Sequence, residues 1–187
     1  AVTKVTQVFA NNTPRALAAT YLFPLPPDAA LSDFALEIGG RMQRGEVVAS
    51  AKARAIYEQI VRQQQDPGLL EYVDRDLFRA RVFPVPANGT QRIELAFSQV
   101  LKMENGLYRY NYPLGALRTA TLVSGGIVTF QATLESTAAV QSIYSPSHRL
   151  GISRRGDQKA IVGLEGATAE LAAKDLDLFY AVDGKQI

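Results

Sequence analysis

The sequence predicts a mainly β protein, an antiparallel β-sandwich carrying one amphipathic helix at about residues 50–65, and three observations predict it. Apolar side chains recur at every second position in run after run, which on a pleated strand places them on one face. Polar residues such as Arg79, Arg81, Glu94, Thr129, Gln131 and Asp177 fill the positions between, the mark of sheets solvated on one side. Clusters of Gly, Asn, Asp and Pro separate the runs at the short intervals that hairpins need, and one stretch alone departs from the period of two.

The elements follow in order. The chain opens in a strand-like pattern at Val2-Thr3-Lys4-Val5, and Leu17, Ala19, Tyr21, Phe23 and Leu25 then alternate. Pro24, Pro26 and Pro27 end that run, because proline cannot donate to a ladder and holds its predecessor extended. Phe34-Leu36-Ile38 is the next strand, and Gly39-Gly40 supplies a turn into the basic bend of Arg41 and Arg44. From Ser50 to Gln65 the period changes: Ile56, Tyr57, Ile60 and Val61 line one helical face, with Glu58 and Arg62 paired on another. Ser50 suits the helix start, and Asp66-Pro67-Gly68 its stop. Alternation resumes with Phe78-Ala80-Val82, closed by Phe83-Pro84-Val85-Pro86, and with Ile93-Leu95-Phe97 after the turn at Pro86-Ala87-Asn88-Gly89. Beyond Asn105-Gly106, the residues Tyr108, Tyr110 and Tyr112 share one strand face, with Arg109 and Asn111 opposite. Val128-Phe130-Ala132-Leu134 and Leu176-Leu178-Tyr180-Val182 complete the pattern, after Gly125-Gly126 and the Arg155-Gly156-Asp157 turn respectively.

Composition narrows the function classes. Across 187 residues, 20 Lys and Arg oppose 18 Asp and Glu, and the basic residues are scattered, so no footprint for nucleic acid or anionic membrane stands out. No stretch approaches 18 uninterrupted apolar residues, so no membrane insertion is expected. The absence of cysteine removes disulfides, thiolate metal sites and thiol nucleophiles, and the single His148 leaves little for a histidine metal site or a triad. No catalytic, cofactor-binding or metal-ligating residue is therefore assigned.

The order Tyr21-x-Phe23-Pro24-Leu25-Pro26, Asp28-Ala29-Ala30, Phe34, Ile38-Gly39-Gly40-Arg41, Gly45-Glu46, Ala53-x-Ala55-x-Tyr57, Leu69-Leu70, Phe78 and Val85-Pro86-Ala87-Asn88 before Ile93-x-Leu95 resembles the vault protein inter-alpha-trypsin (VIT) domain family. The resemblance is specific from about Val5 to Leu101, and farther on rests on Ser145-Pro146-Ser147-His148 and the closing strand. It implies a single VIT-like domain over 1–187, cut from a longer protein and placed beside a von Willebrand factor A domain in the same chain. That neighbour would carry its own metal-dependent adhesion site, whose Asp-x-Ser-x-Ser motif this sequence lacks. The expected role is a non-enzymatic interaction or scaffolding module that orients the adhesive neighbour, with external protein ligands as further partners. The expected place, taken from bacterial envelope members of the family, is extracytoplasmic or at the cell surface.

Several constellations carry sharper readings. Arg41 and Arg44, with Tyr108, Tyr110 and Tyr112, are the candidate interaction surface, and the tyrosine row supports an alternative function as a carbohydrate-binding platform. Glu71, Asp74 and Asp76 support another, a hydrolase with paired carboxylates, although Arg75 and Arg79 make a solvated charge patch the plainer reading. Arg155-Gly156-Asp157 spells an integrin tripeptide, but between Leu150-x-Ile152 and Ile161-Val162 its Gly-Asp pair reads as a hairpin turn. Asn11-Asn12-Thr13 and Asn88-Gly89-Thr90 fit the glycosylation pattern and equally serve as turns. For His148, an extended segment would aim Ser145 and Ser147 away from the ring, which argues for a structural role.

Overall fold

The computed structural model describes residues 1–26, 28–45, 47–48, 69–74, 77–119 and 126–183. The predicted helix at about 50–65 lies outside the described residues, as does Asp76. The chain divides into two compact units, Ala1–Val100 and Leu101–Ile187.

The first unit holds two four-stranded sheets. One is built from β1 (Val2–Asn11), β3 (Ala29–Ile38), β4 (Arg41–Arg44) and β8 (Gly89–Gln99), in the order β1-β8-β3-β4. The other is built from β2 (Leu17–Pro24), β5 (Val47–Val48), β6 (Leu69–Asp74) and β7 (Leu77–Val85), in the order β2-β7-β6-β5. Every pairing is antiparallel except the two-residue contact of β5 with β6. The alternating residues of β3 and β8 meet in the core: Phe34, Leu36, Ile93, Leu95 and Phe97 are all buried. Phe23 of β2 contacts Phe97 across the two sheets, ring centroids 6.0 Å apart, so the sheets form a sandwich sealed by aromatic rings.

Turn chemistry closes the strands where the sequence supplies it. Gly39 and Gly40 both take positive φ between β3 and β4, the conformation of a two-residue hairpin turn. Asn88 takes φ 49° in the turn that links β7 to β8, which the Gly89 N–H closes on the Pro86 carbonyl at 3.2 Å.

The second unit repeats the scheme with different strands. One sheet has β9 (Met103–Glu104), β10 (Leu107–Tyr112), β12 (Val140–Tyr144) and β15 (Leu176–Val182), in the order β12-β15-β10-β9. The other has β11 (Ile127–Glu135), β13 (Gly151–Arg154) and β14 (Lys159–Ala167), in the order β11-β14-β13. Tyr110, Leu134, Val140, Ala160, Val162 and Leu178 form its core, contributed by five strands from both sheets. A 3-10 stretch, Leu114–Thr119, and a four-residue helix α1, Thr168–Leu171, are the helical elements among the described residues. The mainly β, antiparallel fold class expected from the alternation is the one observed.

Candidate interaction surfaces

The basic bend is an exposed hairpin edge. β4 sits at the rim of its sheet with all four residues solvent-facing, including Arg41, Met42 and Arg44. Arg44 approaches Asp33 at 3.6 Å, with 83% of its side chain and 46% of the aspartate's exposed, so the pair holds the guanidinium only loosely. The guanidinium groups are therefore presented to solvent on a short strand.

The tyrosine row lies elsewhere, in the second unit, and Tyr110 and Tyr112 turn into its core while Tyr108 is half-buried. On β10, Tyr108, Tyr110 and Tyr112 stand opposite Tyr180, Leu178 and Leu176 of β15. Tyr108 stacks on Tyr180 at 5.3 Å, and Tyr110, in the core, stacks against Phe130 of the facing sheet at 6.2 Å. Burial, aided by nearby Tyr110, pushes the Tyr112 phenol well above the ordinary tyrosine range. Tyr110 and Tyr112 thus form part of the core wall, with Tyr108 half-buried against Tyr180 at its margin.

The opposite face of the same sheet carries what the sequence did not single out. Tyr144 of β12 and Phe179 of β15 are cross-strand neighbours whose rings stack at 5.3 Å, and the Arg109 guanidinium lies 5.8 Å from the Phe179 ring centre. Arg109 also donates to Asp177, Nε at 2.9 Å and Nη2 at 2.8 Å, and the Asn111 amide donates to the same carboxylate oxygen at 2.9 Å. Burial opposes the charged form of Asp177. The Arg109 and Asn111 hydrogen bonds, with the charges of Arg109 and His148, outweigh it and hold the carboxyl below its usual range. Tyr144 is 45% exposed, so this aromatic and cationic row faces solvent. The alternation of Arg109 and Asn111 was readable; the meeting of Tyr144 with Phe179, 35 positions away, depends on strand pairing.

Asp177 also ties this face to His148. Its backbone N–H donates to Ser147 Oγ at 2.9 Å, Ser147 Oγ lies 2.9 Å from His148 Nδ1, and Nε2 lies 2.8 Å from the Leu171 carbonyl. Because a carbonyl only accepts, Nε2 carries the proton, and in the neutral ring Nδ1 accepts from the serine. Ser145 Oγ accepts the backbone N–H groups of Ser147 and His148. The segment is thus a tight serine-capped turn and not the extended one expected, which is why two serines reach the ring's own neighbourhood. Nδ1 thus holds the turn together through Ser147, and Nε2 joins the turn to α1 through the Leu171 carbonyl, a structural arrangement of the kind anticipated for this histidine.

The remaining motifs resolve as turns and clamps. Gly156 has φ 73°, and Arg155 N–H bonds Lys159 O at 2.8 Å, so Arg155-Gly156-Asp157 makes the β13–β14 hairpin turn. Asn11 is buried, its Nδ2 donating to the carbonyls of Arg15, Val85 and Pro86 while its Oδ1 accepts from Thr13. An amide so engaged cannot accept a glycan in the folded protein. Glu71 and Asp74 lie on β6, with Glu71 in register opposite Arg79. Among the described residues there is no cluster of three or more side chains suited to a metal ion, and no helix is long and apolar enough to cross a membrane.

Comparisons with known proteins place this geometry. The chain is 26% identical over 150 residues, 80% of its length, to the human (Homo sapiens) protein named inter-alpha-trypsin inhibitor heavy chain H6. It is 31% identical over 100 residues, 52% of its length, to the mouse (Mus musculus) protein named von Willebrand factor A domain-containing protein 5A. These matches cover only 11% and 13% of the two relatives, so the chain spans about a tenth of their length. The sequence model of the vault protein inter-alpha-trypsin domain matches residues 1–97, which lie within the first unit and make up just over half of the chain. By that match, the protein belongs to the vault protein inter-alpha-trypsin domain family.

Proposed function

We propose that the chain is a non-enzymatic protein-interaction module that orients a von Willebrand A-type domain within a longer, extracytoplasmic polypeptide. The observation that carries this reading is the family match over 1–97, together with a relative whose name records a von Willebrand factor A domain. The whole of 1–187 is offered as one family region made of two units, because an alignment covering 80% of the chain has to run past Val100.

Two surfaces suit protein partners: the Arg41 and Arg44 rim of β4, and the Tyr144, Phe179 and Arg109 row on the second unit. Exposed arginine and stacked aromatic rings are the side chains that interfaces favour. The non-enzymatic reading is supported by the family match, one of whose relatives is named as an inhibitor heavy chain.

The test joins the chain to the segment that follows it in its parent protein and measures small-angle scattering and ligand binding, with and without that segment. A fixed mutual orientation, and ligand binding that requires the neighbour, are expected. Independent tumbling of the two parts, or full ligand affinity in this chain alone, would refute the orienting role.

A further inference from the structure

The two rims of the β1-β8-β3-β4 sheet are built differently. β4 is four residues long and carries Arg41 and Arg44, the charged and short design that discourages strand addition. β1 is ten residues long, Val-Thr-Lys-Val-Thr-Gln-Val-Phe-Ala-Asn, with one charge and neither proline nor glycine. No other described strand pairs with it besides β8.

Its open side can be assigned residue by residue. Gln99 N–H bonds Ala1 O at 2.9 Å, and the Ala1 amino group bonds Gln99 O at 2.5 Å, so Ala1 and Gln99 are a hydrogen-bonded pair. The register then runs without a shift from Val2↔Ser98 to Asn11↔Gly89. In an antiparallel ladder bonded pairs alternate with unbonded ones, so Val2, Lys4, Thr6, Val8 and Ala10 turn their N–H and C=O groups away from β8. Those five also carry the exposed side chains of the strand, and Val2 and Val8 are 74% and 54% exposed.

We propose that β1 is the seam of a symmetric dimer, in which a second copy of this chain lays its own β1 antiparallel against this rim. The two four-stranded sheets become one continuous sheet. A second copy fits because the rim is complementary to itself. With Thr6 opposite Thr6 of the second copy, all five outward residues find outward partners, which gives about ten backbone hydrogen bonds. Lys4 then faces Val8 of the second copy, where its aliphatic stem covers the exposed valine and its ammonium reaches water. Val2 faces Ala10, and no like charges oppose each other. Sliding the copies by four residues would set Lys4 against Lys4, a repulsive pair with less overlap. A two-fold seam consumes both β1 rims and closes the assembly, whereas pairing β1 with a different rim strand such as β2 or β11 would leave rims open and polymerise.

The test exploits the absence of cysteine. Across the proposed seam the two Thr6 Cα atoms would stand about 5.5 Å apart, a separation that a disulfide spans. Thr6→Cys is expected to form a covalent dimer under mild oxidation, with Lys4→Cys and Ala10→Cys, which face valines, cross-linking at least tenfold more slowly. Light scattering of the unmodified chain should show a concentration-dependent monomer–dimer equilibrium. Thr6→Lys, at a solvent-facing site, should move its midpoint at least tenfold upward with the circular dichroism spectrum unchanged. The double variant Lys4→Glu with Val8→Lys pairs opposite charges only in this register and should tighten the dimer. A monomer at every concentration, equal cross-linking at the three positions, or species that grow beyond the dimer would each overturn the proposal.

Discussion

Asn11 and Asp177 show how single side chains fasten loops to strands. The Asn11 amide binds three carbonyls from two separate segments, and replacing it with alanine removes that clamp, although the Pro86 carbonyl keeps the Gly89 N–H and the Arg15 carbonyl keeps the Thr13 hydroxyl. Asn11→Ala is expected to lower stability by about 1–3 kcal/mol, read from the shift in a urea unfolding midpoint. Asp177 makes its contribution through charge. Its carboxyl is held below the ordinary range in the folded state, so the unfolded chain takes up the proton first as pH falls. The stabilisation is therefore complete above the unfolded carboxylate value of about 4 and is lost as pH falls from there through the folded value. Asp177→Asn should be less stable than the parent at pH 7, and the gap between them should close under acid. A gap that stayed constant to low pH would show that the ion pair with Arg109 contributes nothing.

At the scale of elements, alternation made the core legible wherever a strand lies between two neighbours or faces the other sheet. Ile93, Leu95 and Phe97 are buried as their spacing indicates, and so are Phe34, Leu36, Leu176 and Leu178. Leu17 shares the same alternation yet is 44% exposed, because it begins β2, a rim strand whose pairing with β7 shifts register just beyond it. Helix α1 escaped notice for a related reason: four residues complete barely one turn, too few for a 3.6-residue period to register. The candidate surfaces were only half legible. Arg41 and Arg44 could be placed on an exposed bend from the glycines before them, whereas the spacing of the tyrosine row fixed one shared face and not the side on which that face packs. The Tyr144, Phe179 and Arg109 row needed the order β12-β15-β10, in which chain-distant strands become neighbours, and no local pattern encodes that order.

The division of the chain into two units is a property of the whole molecule that the period of two could not reveal, because both units are written in the same alternation. Each unit has its own aromatic contact between facing sheets, Phe23 with Phe97 in the first and Tyr110 with Phe130 in the second. Family membership and cooperative folding are separate properties, and a core that is complete within its own unit is expected to melt with that unit. Phe97→Ala should cost the first unit about 3–5 kcal/mol and Leu178→Ala the second about 2–5 kcal/mol, since both side chains are fully buried. Calorimetry of the full chain should then show two transitions, with each substitution lowering a different one and leaving the other in place. One transition lowered by both substitutions would mean that the two cores are coupled, and the units would then have to be treated as one folding domain.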